Sequence, residues 1–196
     1  TIEDPIEFLH RDVRAMISQR EVGNDTLSFN EALRHVLRQD PDVVMLGEIR
    51  DRVSMETVLK AANTGHAVFP TLHTTDTSQT ITRVMSFFPP HQHGEIRGLL
   101  ADALRAIVSL RLIPRADGSG RVPAAEVLIN TAAVSARVRS GEGVDTPRDL
   151  IAEGRTQYGM QTFDQSLMEL YRRDLITQEM ALHYATSPAE FALRAS

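Results

Sequence analysis

Cysteine is absent from the 196 residues, which excludes a disulfide framework, a thiolate zinc site and a cysteine nucleophile. Lysine is almost absent: Lys60 is the only one among 21 basic residues, the rest being arginine. A phosphate loop of the form G-x-x-x-x-G-K-[ST] needs a lysine behind its glycines to reach the β- and γ-phosphates. Lys60 sits instead in the helical run Val58-Leu59-Lys60-Ala61-Ala62, so this sequence contains no such loop. No segment approaches the ~18 uncharged apolar residues of a membrane-spanning helix. No initiator methionine, charged leader or apolar signal stretch stands ahead of Thr1, so the expected address is cytoplasmic and the chain is expected to start inside a domain. A net charge of -5 argues against a coat for nucleic acid or for an anionic membrane. What remains is ordinary globular material, 42% hydrophobic and 24% charged, long enough for one domain with an appendage or for two small ones.

Short apolar runs alternate with helical periods from Thr1 to about Pro90. Ser28-Phe29-Asn30-Glu31 has the pattern of a capping box, and Phe29, Ala32, Leu33, Val36 and Leu37 repeat behind it at helical spacing until Asp40-Pro41. Val43-Val44-Met45-Leu46 reads as a strand buried on both faces of a parallel sheet, ending in Gly47. A second helix is predicted behind a Ser54 cap, with Met55, Val58, Leu59 and Ala62 inward and Gly65 at its end. His66 to Leu72 reads as the next strand, and Asp76 caps a third helix carrying Ile81, Val84, Met85 and Phe88. Strand and helix alternating without hairpin signals predict a parallel sheet with crossover helices. Beyond Pro89-Pro90, Leu99, Leu100, Ala103, Leu104, Ile107 and Val108 predict one long helix, and Asp117-Gly118-Ser119-Gly120 a hairpin turn. Only helices are predicted from Thr131 onward: Thr131 to Arg139, Pro147 to Ala152 with Thr146 as cap, Phe163 to Arg173 behind a box at Thr162 to Gln165, and a last pair opened by Thr177 and Ser187. The fold class is therefore α/β, a partial parallel sheet over residues 1–130 followed by a small helical bundle over 131–196.

Three clusters stand out from this background. Thr1-Ile2-Glu3-Asp4-Pro5-Ile6-Glu7 brings three carboxylates off a strand end, where parallel sheets bind ligands and where a hydrated Mg²⁺ finds oxygen donors. Taken alone, the same segment also suits a solvated acidic loop. In Asp40 to Asp51 an apolar strand delivers Glu48 to its C-terminal end, the position from which nucleotide hydrolases orient water beside a γ-phosphate. A buried strand followed by a polar turn fits that spacing equally. Gly47 stands where the usual pattern has an aspartate, which leaves a metal dependent on other carboxylates, Glu7 and Glu3 first among them. In Thr64 to Thr75, His66 and His73 bracket one strand with an odd spacing that points them to opposite faces, so they are poor joint metal ligands. His73, at the strand end before a run of hydroxyls, is placed to sense a phosphate; a hydrogen-bonded structural histidine is the alternative.

Taken together the clusters resemble the motor ATPases of type IV pili and type II secretion. TIEDPIE (Thr1 to Glu7) is similar to their Asp box, RQDPDVVMLGEIRD (Arg38 to Asp51) to their atypical Walker B strand, and TGHAVFPTLHTTD (Thr64 to Asp76) to their His box. Arg111 to Thr131 and Gly159 to Thr177 resemble the same family's C-terminal region. Extension and secretion members commonly carry a four-cysteine zinc loop after the His box; here Phe87 to Gly94 runs straight into a helix, which favours the retraction branch, PilT-like or PilU-like. The resemblance implies a RecA-like core and a hexameric, ATP-hydrolysing motor for pilus retraction, working with ATP and Mg²⁺ and without zinc. It implies Glu48 as catalytic base with Glu7 as the fallback, and Glu3, Asp4 and Glu7 as support for Mg²⁺ through water. His66, His73, Arg50 and Arg83 are implied as nucleotide or phosphate sensors. Ala133 to Glu142 matches loosely a helix associated with retraction; its small side chains need no deep core, and Val134, Arg137 and Arg139 would form a transmission surface. The implied partners are further copies of the chain and an inner-membrane platform protein, with no direct nucleic acid and with peripheral membrane association through that partner, at the cytoplasmic face. The phosphate cradle would precede Thr1, so the chain alone is expected to be inactive. A pilus-assembly, type II secretion or conjugation ATPase is the alternative within the class, and a non-catalytic module docking on motor subunits the alternative outside it.

Overall fold

The computed structural model describes residues 1–142 and 148–195, grouped in two compact units. One comprises Thr1–His73 and Arg83–Leu104, the other Thr74–Thr82 and Arg105–Ser196.

The first unit carries four strands, β1 (Ile2–Glu3), β2 (Arg20–Glu21), β3 (Val43–Leu46) and β4 (Ala67–Pro70). They lie side by side in the order β2-β1-β3-β4, all parallel, with β3 and β4 in register from Val43 opposite Ala67 to Leu46 opposite Pro70. Strand β3 is covered on one face and not on two: Val44 and Leu46 are buried while Val43 is exposed, so its apolar run follows the period-two rule of a one-sided sheet. Strand β4 ends the row; no described strand pairs with its other edge, and Phe69 is 61% exposed there.

Helix α1 (Phe29–Val36) starts where the Ser28 side chain accepts the Glu31 N–H, and buries Ala32 and Leu33. Helix α2 (Arg52–Asn63) is capped by Asp51, whose Oδ1 accepts the Ser54 N–H at 2.9 Å. Ser54, the expected cap, is instead inside the first turn and buried, because a carboxylate three residues earlier takes the same amide. Helix α3 (Thr77–Ser86) has Asp76 in the capping position, accepting the Gln79 N–H at 2.9 Å. After a 3₁₀ turn at Pro90–Gln92, α4 (His93–Ala103) closes the first unit, and Ile96, Leu100 and Ala101 are buried. The long helix expected to run through Val108 thus stops at Ala103. Ile107 and Val108 belong to a strand, where one is buried and the other exposed, as β-branched residues on a pleated surface favour.

That strand, β5 (Ala106–Pro114), pairs antiparallel with β6 (Arg121–Ile129) from Ala106 opposite Ile129 to Pro114 opposite Arg121. The predicted turn joins them, with Gly118 and Gly120 at φ 70° and 122°. Helices α5 (Ala132–Ser140), α6 (Arg148–Glu153), α7 (Arg155–Tyr158), α8 (Phe163–Arg172), α9 (Gln178–Tyr184) and α10 (Pro188–Ala195) follow. The capping box of α8 and the Thr131 and Thr177 caps of α5 and α9 form as their sequences predict. The Thr146 cap and Pro147 helix start lie outside the described residues. The hairpin packs with these helices: Ile113 and Ala124 share one core with Phe163, Leu167, Leu170, Ile176, Ala181 and Phe191. The division at residue 130 expected from sequence therefore falls inside the second unit, since the inner face of the hairpin needs α8 to cover it.

Candidate functional site

The C-terminal ends of β1 and β3 come unusually close. The Gly47 N–H donates to the Ile2 carbonyl at 2.7 Å, and a Cβ at position 47 would stand 3.2 Å from Glu3 Cα and 3.3 Å from the Ile2 oxygen. An aspartate there would push the two strands apart, which gives the glycine at this position its physical reason. On the other side the Thr71 hydroxyl donates to the Gly47 carbonyl, and the Ile49 N–H to the Thr71 carbonyl at 3.0 Å. Glu48 is thus carried on a backbone clamped from both sides.

Its carboxylate, 14% exposed, is gripped by two side chains. The Arg50 guanidinium pairs with Oε1, and His73 Nε2 lies 3.1 Å from Oε2. Arg50 reaches Asp4 Oδ2 at 3.0 Å as well, so Asp4, Arg50, Glu48 and His73 form one network. With Glu7, His10 and Met45 these carboxylates and His73 line a cavity of about 380 Å³. A second concavity of about 630 Å³ lies along α1 and collects Arg34, His35 and Arg38, with none of the predicted site residues.

The hydrogen bond from Arg50 is the main cause holding the Glu48 carboxyl below its usual range; partial burial opposes it and His73 adds to it. A folded carboxyl held low contributes stability above its ordinary range and loses it as pH falls toward the lowered value. Arg50→Ala is accordingly expected to raise the Glu48 titration midpoint, read by carboxyl-resolved NMR, and to make the acid-side loss of thermal stability shallower. An unmoved midpoint would remove Arg50 as the cause. Glu3 is also held low: burial pushes its carboxyl up, but hydrogen bonds from Thr1 and Gln19 outweigh it.

Among the described residues no three histidine, aspartate or glutamate side chains converge as a metal cage. Glu3, expected among the supports of Mg²⁺, is buried and committed to the Thr1 hydroxyl and to Gln19 Nε2 at 3.0 Å, so its work is to fasten β1 to the segment before β2. Asp4 is shared with Arg50, and Glu7 is exposed at the cavity. Such a donor set fits a hydrated magnesium ion held mostly by phosphate oxygens and waters.

Other predicted site residues lie elsewhere. His66 Nδ1 is 3.2 Å from the Ala61 carbonyl and 3.3 Å from Thr64 Oγ1, a local contact at the end of α2. Arg83 stacks over the Phe87 ring at 4.8 Å. On α5, Val134 and Val138 are each 2% exposed, so Val134 is a core residue and not part of a surface; Arg137 and Arg139 lie on the more open side. Thr71, Gln19 and His10 were not singled out by sequence. A run without periodicity hides Gln19 and His10, while the hydroxyl two residues before His73 was a readable signal for Thr71.

The description Type II/IV secretion system protein matches residues 1–194. The chain belongs to that family. Among its secretion-family relatives, the type IV pilus ATPase PilU of Pseudomonas aeruginosa is 44% identical over 193 residues, covering 98% of this chain and 50% of that protein. The type IV pilus retraction ATPase PilT of the same organism is 42% identical over 191 residues, covering 97% and 55%. A crystal structure described as the pilus retraction motor PilT with bound ADP superposes with a TM-score of 0.85 at 42% identity, over 96% of this chain and 52% of that one. This secretion-family chain thus spans about half the length of the relatives it matches.

Proposed function

We propose that this chain supplies the water-activating half of a hexameric ATP-driven motor that retracts type IV pili. The observation that carries the reading is Glu48, clamped at the end of β3 and gripped by Arg50 and His73 at a cavity it shares with Asp4 and Glu7. Glu48 is ionised at neutral pH, as a proton acceptor must be, and the Arg50 guanidinium holds its carboxyl lower still. The carboxylate then orients the attacking water and takes its proton. His73, bonded to the other oxygen, fixes the carboxylate's rotation and is positioned to respond to what enters the cavity. Magnesium bound with the nucleotide would neutralise charge on the phosphates, with Asp4 and Glu7 receiving its waters. The similarity to PilT and PilU along nearly the whole chain supports the retraction reading. Partners in this reading are further copies of the chain and a platform protein of the inner membrane; no described helix is long and apolar enough to cross a membrane.

The phosphate-binding lysine must come from outside this chain, because Lys60 is exposed on α2 and paired with Glu56 at 2.8 Å. Calorimetry on the chain alone is expected to show no tight ATP binding and no turnover, whereas the protein at its relatives' length hydrolyses ATP and restores pilus retraction to cells lacking it. Micromolar binding to the chain alone would overturn the division of labour. Pilus extension without retraction in the complemented cells would overturn the direction.

A further inference from the structure

The chain between β1 and β2, residues 4–19, contains neither helix nor strand, and Phe8, Leu9, Val13 and Met16 along it are exposed, so apolar packing does not shape it. Polar contacts do. The Gln19 amide is engaged at both ends: its Nε2 donates to Glu3 Oε1 and to the Phe8 carbonyl, each at 3.0 Å, and its Oε1 accepts the His10 N–H at 2.7 Å. With both donors and the acceptor in use, the amide has a single orientation. The Ile6 N–H, donating to Glu21 Oε2 at 2.9 Å, fastens the start of the same loop to β2. The backbone at His10 is thereby bound to the Glu3 end of β1, the strand beside the one that delivers Glu48.

That anchoring sets His10 on the wall of the cavity that Glu48 lines. The wall is strongly acidic, with Glu3, Asp4, Glu7 and Glu48 on it, and among the described residues His10 and His73 are the lining side chains that carry an N–H. His73 Nε2 is taken up by Glu48. His10 bonds through its backbone N–H, and its ring has no hydrogen-bond partner among the described residues, although an imidazole carries an N–H in either charge state. A donor fixed by its backbone and left without an acceptor on an acidic wall suits an oxyanion that enters the cavity. We propose that His10 is a γ-phosphate contact: its ring donates to an oxygen of the terminal phosphate of ATP and offsets part of the repulsion from the surrounding carboxylates. The proposal rests on the reading of Glu48 as the group that activates water beside that phosphate. Its consequence is discrimination, because the contact exists for a triphosphate and is gone once the γ-phosphate has left.

The test is calorimetry on the full-length protein with ADP and with the β,γ-imido analogue of ATP, beside steady-state ATP hydrolysis. Since the His10 ring bonds nothing described in the chain, His10→Ala is expected to leave Tm unchanged. Its binding of the triphosphate analogue is expected to weaken about 10- to 100-fold, the range for a hydrogen bond to a charged group, and its binding of ADP less than about twofold. The value of kcat/KM for ATP is expected to fall with the triphosphate affinity. His10→Gln keeps an N–H donor and is expected to recover much of the selectivity. Equal weakening of the two nucleotides would overturn the proposal, as would affinities unchanged from wild type, or a glutamine variant no better than alanine. Glu48→Gln assayed alongside separates the two readings: normal turnover there overturns both, whereas an inactive Glu48→Gln beside a His10→Ala protein with wild-type selectivity overturns only the role of His10.

Discussion

Glu48→Gln in the full-length protein is expected to retain nucleotide binding while turnover falls about 10²- to 10⁴-fold, the usual cost of losing a general base. The amide keeps the shape of the carboxylate; its oxygen can still accept from Arg50 and its NH2 can donate to a neutral His73 ring nitrogen, so the clamped turn at Gly47 and the cavity survive. What it loses is the proton acceptor and the charge. Binding is measured by calorimetry with ATP and turnover by phosphate release, so the two effects are read separately. Near-normal turnover would move the base to Glu7, the exposed carboxylate on the same cavity. Loss of binding together with turnover would make Glu48 a structural anchor for the end of β3.

Val134→Asp is expected to destabilise the chain by about 3 kcal/mol or more, because an unpaired carboxylate would replace an apolar side chain in a packed interior. Val134 and Val138 stand one helical turn apart on the covered side of α5. For a chain of this size that corresponds to a fall in Tm of roughly 6–12 °C. Ala136→Asp, on the exposed side of the same helix, is expected to cost less than about 1 kcal/mol. Thermal unfolding of the two variants checks the pair, and equal shifts would contradict the burial of Val134. A transmission surface on α5 therefore has to be sought at Arg137 and Arg139, since a charge at Val134 would disturb folding and retraction together.

The caps and the hairpin were legible because their signals are local: Ser28, Thr131, Thr162 and Thr177 each accept an amide within their own first turn. The α4–β5 junction was not. Leu104, Ile107 and Val108 continue the helical spacing without glycine or proline, and what turns the chain into a strand is nine residues of pairing with β6, a partner far along the sequence. In the site, the sequence placed Glu48, Asp4, Glu7 and His73 near one another through strand ends, and the structure brings them to one cavity. It could not show that Arg50 bridges Asp4 and Glu48, or that Glu3 turns toward Gln19, because those depend on side-chain reach across neighbouring strands. Val134 was misjudged for a related reason: five small apolar residues in nine leave the inward stripe of α5 poorly marked.

The side of β4 that pairs with no described strand bears on how this chain behaves in a tube. Its outward amides and carbonyls, with Phe69 beside them, form a template to which another strand can add, and Pro70, which has no N–H to offer, blunts the far end. Sticking of this kind needs no unfolding, so it grows with concentration and is not cured by ligands or temperatures that stabilise the native state. Preparations of the chain by itself are best kept dilute, or given a strand of their own to lay along that seam.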